Sequence, residues 1–210
     1  MAPTAHHSED WNARSFAHGM AQARTTVEDT AHFIVSAKKL PDWKSHRPGV
    51  ELIFYFALID YETKVLVHRL LESQDDRYVW EKYLALHLHE VLELAPKAIS
   101  TAIREMTQPG SASKADPELY KLAARQFRDD LRPIRQDSDF MKGLGLIRNT
   151  VAAHHVDSRS ASMEPSITWM LTATTQRNRG GTPMSSQILE YSVKAAIAVQ
   201  IFAQSVISEK

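Results

Sequence analysis

The sequence predicts an all-α protein, an up-and-down bundle of helices. Three observations carry that expectation. Apolar residues recur every three or four positions over most of the chain, the repeat of helices that lay one face on a core. Hydrophobic residues make up 43% of the 210 positions and charged residues 24%, proportions that allow a true core within an ordinary globular surface. There are only 7 glycines and 9 prolines, too few for a loop-rich chain. We find no internal repeat or long linker, so residues 1–210 read as one domain, with residues 1–10 as a flexible terminus.

The elements follow in order. Residues 8–39 predict a helix or helix pair, with Val27, Ala31, Ile34 and Val35 at helical spacing near its end. LPDWKSHRPG, residues 40–49, reads as a connector, because glycine follows its second proline. Residues 50–73 predict a central helix with Leu52, Phe56, Ile59, Thr63, Leu66 and Leu70 in register. Apolar residues on its other faces point to burial on more than one side. Residues 75–106 form the longest periodic segment, with Leu84, Leu88, Val91, Ala95, Ile99 and Ile103 as its stripe. Pro96 removes an amide donor there and predicts a kink near residues 92–96.

TQPGSASKADPE, residues 107–118, is the clearest loop, and Asp116-Pro117 at its end is a helix start. The helix that follows is expected to reach about Leu131, with Pro133 ending or kinking it. Ser138 or Asp139 is the expected cap of the next helix, which carries through to about His155. Residues 157–183 read as an irregular insertion. Within it SITWMLTAT alternates Ile167, Trp169 and Leu171 and predicts a short β segment, and RNRGGTP predicts a turn. Residues 184–209 close the chain as a helix.

Composition excludes several function classes. With no cysteine, disulfides, cysteine-ligated zinc and thiol catalysis are ruled out. The longest apolar stretch, LIFYFALI, is 8 residues between Glu51 and Asp60, against the roughly 20 that span a bilayer. No membrane association is expected, and no segment reads as a signal peptide. A cytoplasmic, soluble protein is the expectation. Lysine plus arginine equals aspartate plus glutamate at 25 each, so the chain is not a bulk nucleic-acid coat. A local basic cleft remains compatible with that balance.

Such a cleft has a candidate. Lys121, Arg125, Arg128, Arg132 and Arg135 are spaced to fall within about 80° of helical arc. From Lys121 to Arg148 there are seven lysines and arginines against four acids. A stripe of this kind follows a phosphate backbone, or is simply a solvated helix face. His87 and His89 are two apart on a helix, hence about 160° apart in direction, and do not share a metal. Pairing His87 with Glu90, or His89 with Glu93, supplies two ligands where a site needs three or four, so no metal and no cofactor are expected. Gly143 and Gly145 lack the third glycine and preceding strand of a dinucleotide loop, and read as sites of close helix packing.

The remaining stretch is IRNTVAAHH. Arg148 presents a permanently charged planar fork suited to phosphate oxygens. A histidine gives or takes a proton near neutral pH. Together they suffice, in principle, to cleave RNA without metal. The alternative is an arginine and histidine bonded to neighbouring carboxylates or helix-end carbonyls.

RNTVAAHH resembles the R-x(4–6)-H motif of the HEPN superfamily, in which Asn, Asp or His usually follows the arginine. Arg148, Asn149 and His154 match with five intervening residues, and His155 with six. The motif lies late in a helical chain and is followed by one long helix, as in HEPN bundles. The surrounding residues resemble the abortive-infection and toxin-like branches of that group. The specific match covers about a dozen residues.

The resemblance implies a homodimer whose two motifs meet in one composite site. It implies a metal-independent endoribonuclease acting in toxin–antitoxin or phage defence, beside an antitoxin or nucleotidyltransferase-like partner. Other members are non-catalytic modules that bind a protein, nucleotide or RNA. By the same resemblance Arg148 holds the scissile phosphate, His154 or His155 is the acid/base, and Asn149 orients one of them or contacts the phosphate. On a straight helix His155 lies about 20° from Arg148 and His154 about 120°, whereas the alanine preceding His154 fits the family pattern. From the basic stripe rather than the motif, Lys121, Arg125 and Arg128 are the expected RNA-binding residues if their face borders the dimer cleft.

Overall fold

The computed structural model describes the backbone of residues 6–72, 76–111, 113–148 and 183–207. These residues form six helices and no strand: α1 His6–Ala37, α2 Trp43–Glu72, α3 Arg77–Thr107, α4 Pro117–Gln136, α5 Ser138–Leu146 and α6 Pro183–Ile207. The fold class is therefore all-α, a helical bundle. The expected β segment at 166–174, the turn after it up to residue 182 and the helical continuation from Asn149 to His155 lie outside the described residues.

Proline and glycine break the helices less than their local preferences predict. α2 begins at Trp43 rather than at Val50, and Pro48 lies inside it. Local bonds start that turn. Ser45 N and Oγ both donate to the Asp42 carbonyl, at 2.9 and 2.6 Å, and the Ser45 carbonyl accepts from Lys114 N at 3.2 Å. Pro48 and Gly49 are buried. A Cβ added at Gly49 would lie 2.7 Å from the Tyr120 hydroxyl, so the glycine allows close approach of α4. α4 likewise runs through Pro133 to Gln136, three residues past the proline. Leu131 and fully buried Ile134 hold both sides of that proline on the core. α3 spans Pro96 between buried Ala95 and Ile99.

Caps fix two other boundaries. Asp116 accepts from Glu118 N at 2.9 Å with Pro117 in the first helical position, as the sequence predicts. The cap of α5 is Asp137, one residue ahead of the expected Ser138 or Asp139, and its side chain accepts from Phe140 N at 3.0 Å.

α2 packs against α1, α3 and α6, and α6 against α2, α3 and α4. The two therefore share the centre. Phe56 of α2, Phe127 of α4 and Phe202 of α6 meet there, with ring centroids 4.7 to 6.1 Å apart. α5 touches α3 and α4. Met106 and Tyr120 both approach Gly49, which sets the end of α3 beside the start of α4 and makes that pair antiparallel. No helix among the described residues is long and apolar enough to cross a membrane.

Candidate functional site: an arginine at the end of α5 and a basic groove

α5 is nine residues long and held along its length. Asp137 caps its start through one carboxylate oxygen and accepts from the Tyr191 hydroxyl (3.0 Å) and Gln187 Nε2 (3.3 Å) through the other. Phe140 packs edge-on against Tyr191, with centroids 4.7 Å apart. Phe140, Leu144 and Ile147 recur at helical spacing and are buried. Gly143 makes the close approach expected of it: a Cβ there would come within 2.5 Å of the Met184 terminal methyl. A Cβ added at Gly145 would meet nothing within 4 Å among the described residues, so no close helix packing is seen there.

Because Ile147 is 2% exposed and faces the core, the next residue is turned outward by one helical step. Arg148 accordingly lies exposed, on a wider turn that continues the helix. Its charge reaches α3. Burial, and after it the Arg148 guanidinium, hold His89 below the usual histidine range, while Glu93 and Glu90 act in the opposite direction. His89 is half-buried and, at neutral pH, a neutral imidazole beside a fixed positive charge. Sequence reasoning treated His89 only as a metal ligand. Its nearness to Arg148 depends on α5 folding back onto α3, which no local pattern encodes.

His87 points elsewhere, as its spacing from His89 requires. It is half-buried between α2 and α3, with Nε2 2.9 Å from Thr63 Oγ1 and Nδ1 3.6 Å from Glu62. Thr63 donates its only hydroxyl proton to the Ile59 carbonyl at 2.8 Å, so the neutral His87 ring donates from Nε2. This is a structural histidine of the α2–α3 interface. Among the described residues no group of three or more His, Asp or Glu is arranged to hold a metal.

The basic stripe of α4 borders two adjoining grooves. The first, about 400 Å³, lies between α3 and α4. Lys121, Arg125 and Arg128 line one wall, Arg104 of α3 the other, and Ile99, Ile103 and Ala124 the floor. The second, about 480 Å³, continues along α4 past Arg132 and Arg135. The stripe is partly neutralised, since Lys121 pairs with Glu118 at 2.7 Å and Arg132 with Asp129. Arg128 Nε donates to the Ala124 carbonyl at 3.2 Å. Arg104 was not foreseen, because it joins the stripe only through the packing of α3 on α4.

Asn149, His154 and His155 lie outside the described residues, so of the four expected catalytic residues Arg148 alone has a described position. Comparison of the chain with protein-family models, with curated proteins and with solved structures gives no match.

Proposed function

We propose that this protein is a metal-independent endoribonuclease of HEPN type, acting as a homodimer through Arg148 and the histidine pair His154 and His155. The observation that carries the reading is the setting of Arg148: exposed, at the end of a helix anchored on its other side, and leading directly into Asn149 and the histidines. The all-helical fold with a long last helix agrees with it.

In the proposed reaction one histidine takes the proton of the ribose 2′-hydroxyl. The 2′-oxygen attacks phosphorus, the bond to the 5′-oxygen breaks, and a protonated group returns a proton to that leaving oxygen. The products are a 2′,3′-cyclic phosphate and a 5′-hydroxyl, and no oxidant or co-reactant is consumed. Arg148 holds the phosphate and stabilises the charge growing on its equatorial oxygens. Asn149 orients the acting histidine or the phosphate. Lys121, Arg125 and Arg128 contact the strand. A cytoplasmic toxin or defence effector with a neutralising antitoxin or nucleotidyltransferase-like partner fits such an activity.

The test is incubation of purified protein with labelled RNA in chelator, followed by analysis of the fragment ends. Cyclic phosphate ends should form, and Arg148→Ala should slow cleavage by about 100-fold or more. His154→Ala and His155→Ala, singly and together, identify the acting ring. Intact RNA with the wild-type chain sinks the enzyme reading. The basic groove would then favour a non-catalytic module that binds RNA.

A further inference from the structure

We infer that the groove between α3 and α4 binds single-stranded RNA by its phosphates, with Arg104 opposing Lys121, Arg125 and Arg128 across the strand. The inference rests on the ribonuclease reading for the fate of the strand, but not for its binding.

Charge carries the argument first. Among the described residues four cations and no carboxylate line this groove, with Lys121 alone of the four held by an acid, Glu118 at 2.7 Å, in a chain whose formal charge is zero. The cations come from both walls, so they oppose one another across the groove as well as following one helix face. Among the described residues Arg104 and Arg125 form no ion pair, and both are exposed. The acid nearest Arg104 in sequence, Glu105, is turned away to Arg47 at 2.5 Å. Repulsion among unpaired like charges is relieved by a bound polyanion.

Shape and lining narrow the ligand. Packed helices leave too little room between them for a duplex to enter, while a single strand fits such a channel. The floor of Ile99, Ile103 and Ala124 is apolar and can carry base or ribose faces. Among the described residues no aromatic side chain lines the groove, and binding there is led by phosphate and tolerant of sequence. The adjoining groove bordered by Arg132 and Arg135 extends the path along α4, with Asp129 as its acid. Single-strand binding weakens with salt by a log–log slope of about −0.7 per phosphate contact, so four contacts predict a slope of about −3.

The experiment uses a fluorescein-labelled 2′-O-methyl oligouridine of about 12 nucleotides, which lacks the attacking hydroxyl, and follows its anisotropy with the intact protein. Arg104→Ala with Arg125→Ala should weaken binding at least tenfold at about 0.1 M salt and make the slope shallower by about 1.4. Arg24→Ala, on α1, should change neither. Melting curves check that each variant is folded. Unchanged affinity and slope in a folded double variant overturn the inference. Equal or tighter binding of duplex RNA, or of polyglutamate of matched charge, also overturns it, the latter marking an acidic-peptide site. The two readings fail separately. Groove-dependent binding without cleavage of natural RNA leaves the groove standing and removes the nuclease. Cleavage with unaltered binding in the double variant does the reverse.

Discussion

Arg148 and His89 are 59 positions apart in sequence, and in the fold the Arg148 guanidinium disfavours protonation of His89. An imidazole gains a positive charge when it takes up a proton, so a neighbouring guanidinium disfavours protonation. Burial acts in the same direction and is the larger cause here. Removing the guanidinium therefore raises the His89 pKa, although burial continues to hold it down. Histidine NMR titration of wild type and Arg148→Ala should show the His89 ring protonating at higher pH in the variant. The His87 ring is also lowered by burial, but by no arginine, and should titrate alike in both proteins. Equal titration of His89 in the two proteins would mean that Arg148 does not reach α3 in solution. The consequence for the proposed chemistry is direct, because a neutral His89 leaves the motif arginine as the fixed positive charge at the end of α5.

At the scale of elements, the joint between α4 and α5 is where stability and site position meet. One carboxylate, Asp137, caps α5 and binds Tyr191 and Gln187 of α6. Asp137→Ala removes the cap and leaves the Tyr191 hydroxyl without this acceptor. A cost of about 2 kcal/mol is expected, read as a lower urea midpoint at unchanged slope. Tyr191→Phe keeps the cap and should cost about 1 kcal/mol. A loss below about 0.5 kcal/mol in the alanine variant would show that water replaces the carboxylate at little cost. The same joint shows what the sequence makes legible. Asp116-Pro117 announces its helix start because cap and first residue are both local. Pro48-Gly49 predicts a boundary that does not occur, and α4 continues through Pro133, where an end or a kink is expected; Tyr120 against Gly49 and the buried Leu131 and Ile134 outweigh a lost amide bond. Apolar periodicity over 50–73 and 75–106 found the helices that build the core. The side chains that join the candidate site, His89 and Arg104, both stand on α3, a helix the periodicity predicts. Their part in it follows from which helices pack together, and that is a property of the pairing rather than of any window of sequence.

At the scale of the molecule, the proposed site raises a question of symmetry. In a twofold dimer each motif faces its copy, and the acting Arg148 and histidine belong either to one protomer or to two. Mixing two inactive chains separates these cases. One chain carries Arg148→Ala, and the other carries His154→Ala with His155→Ala. If each acting Arg–His pair belongs to one chain, both pairs in the mixed dimer lack one group and no activity returns. If each pair is drawn from opposite chains, the composite site of the mixed dimer loses one pair whole and keeps the other whole. With equal amounts and free exchange, half the dimers are mixed and half their pairs are intact, so about a quarter of wild-type activity should return. The proposed composite site predicts that recovery, read as RNA cleavage after the two chains are unfolded and refolded together. Each variant refolded alone should stay inactive. No recovery, in a sample that mass spectrometry shows to contain mixed dimers, would place arginine and histidine on one chain. The 20° offset between Arg148 and His155 on a straight helix would then favour His155 over His154.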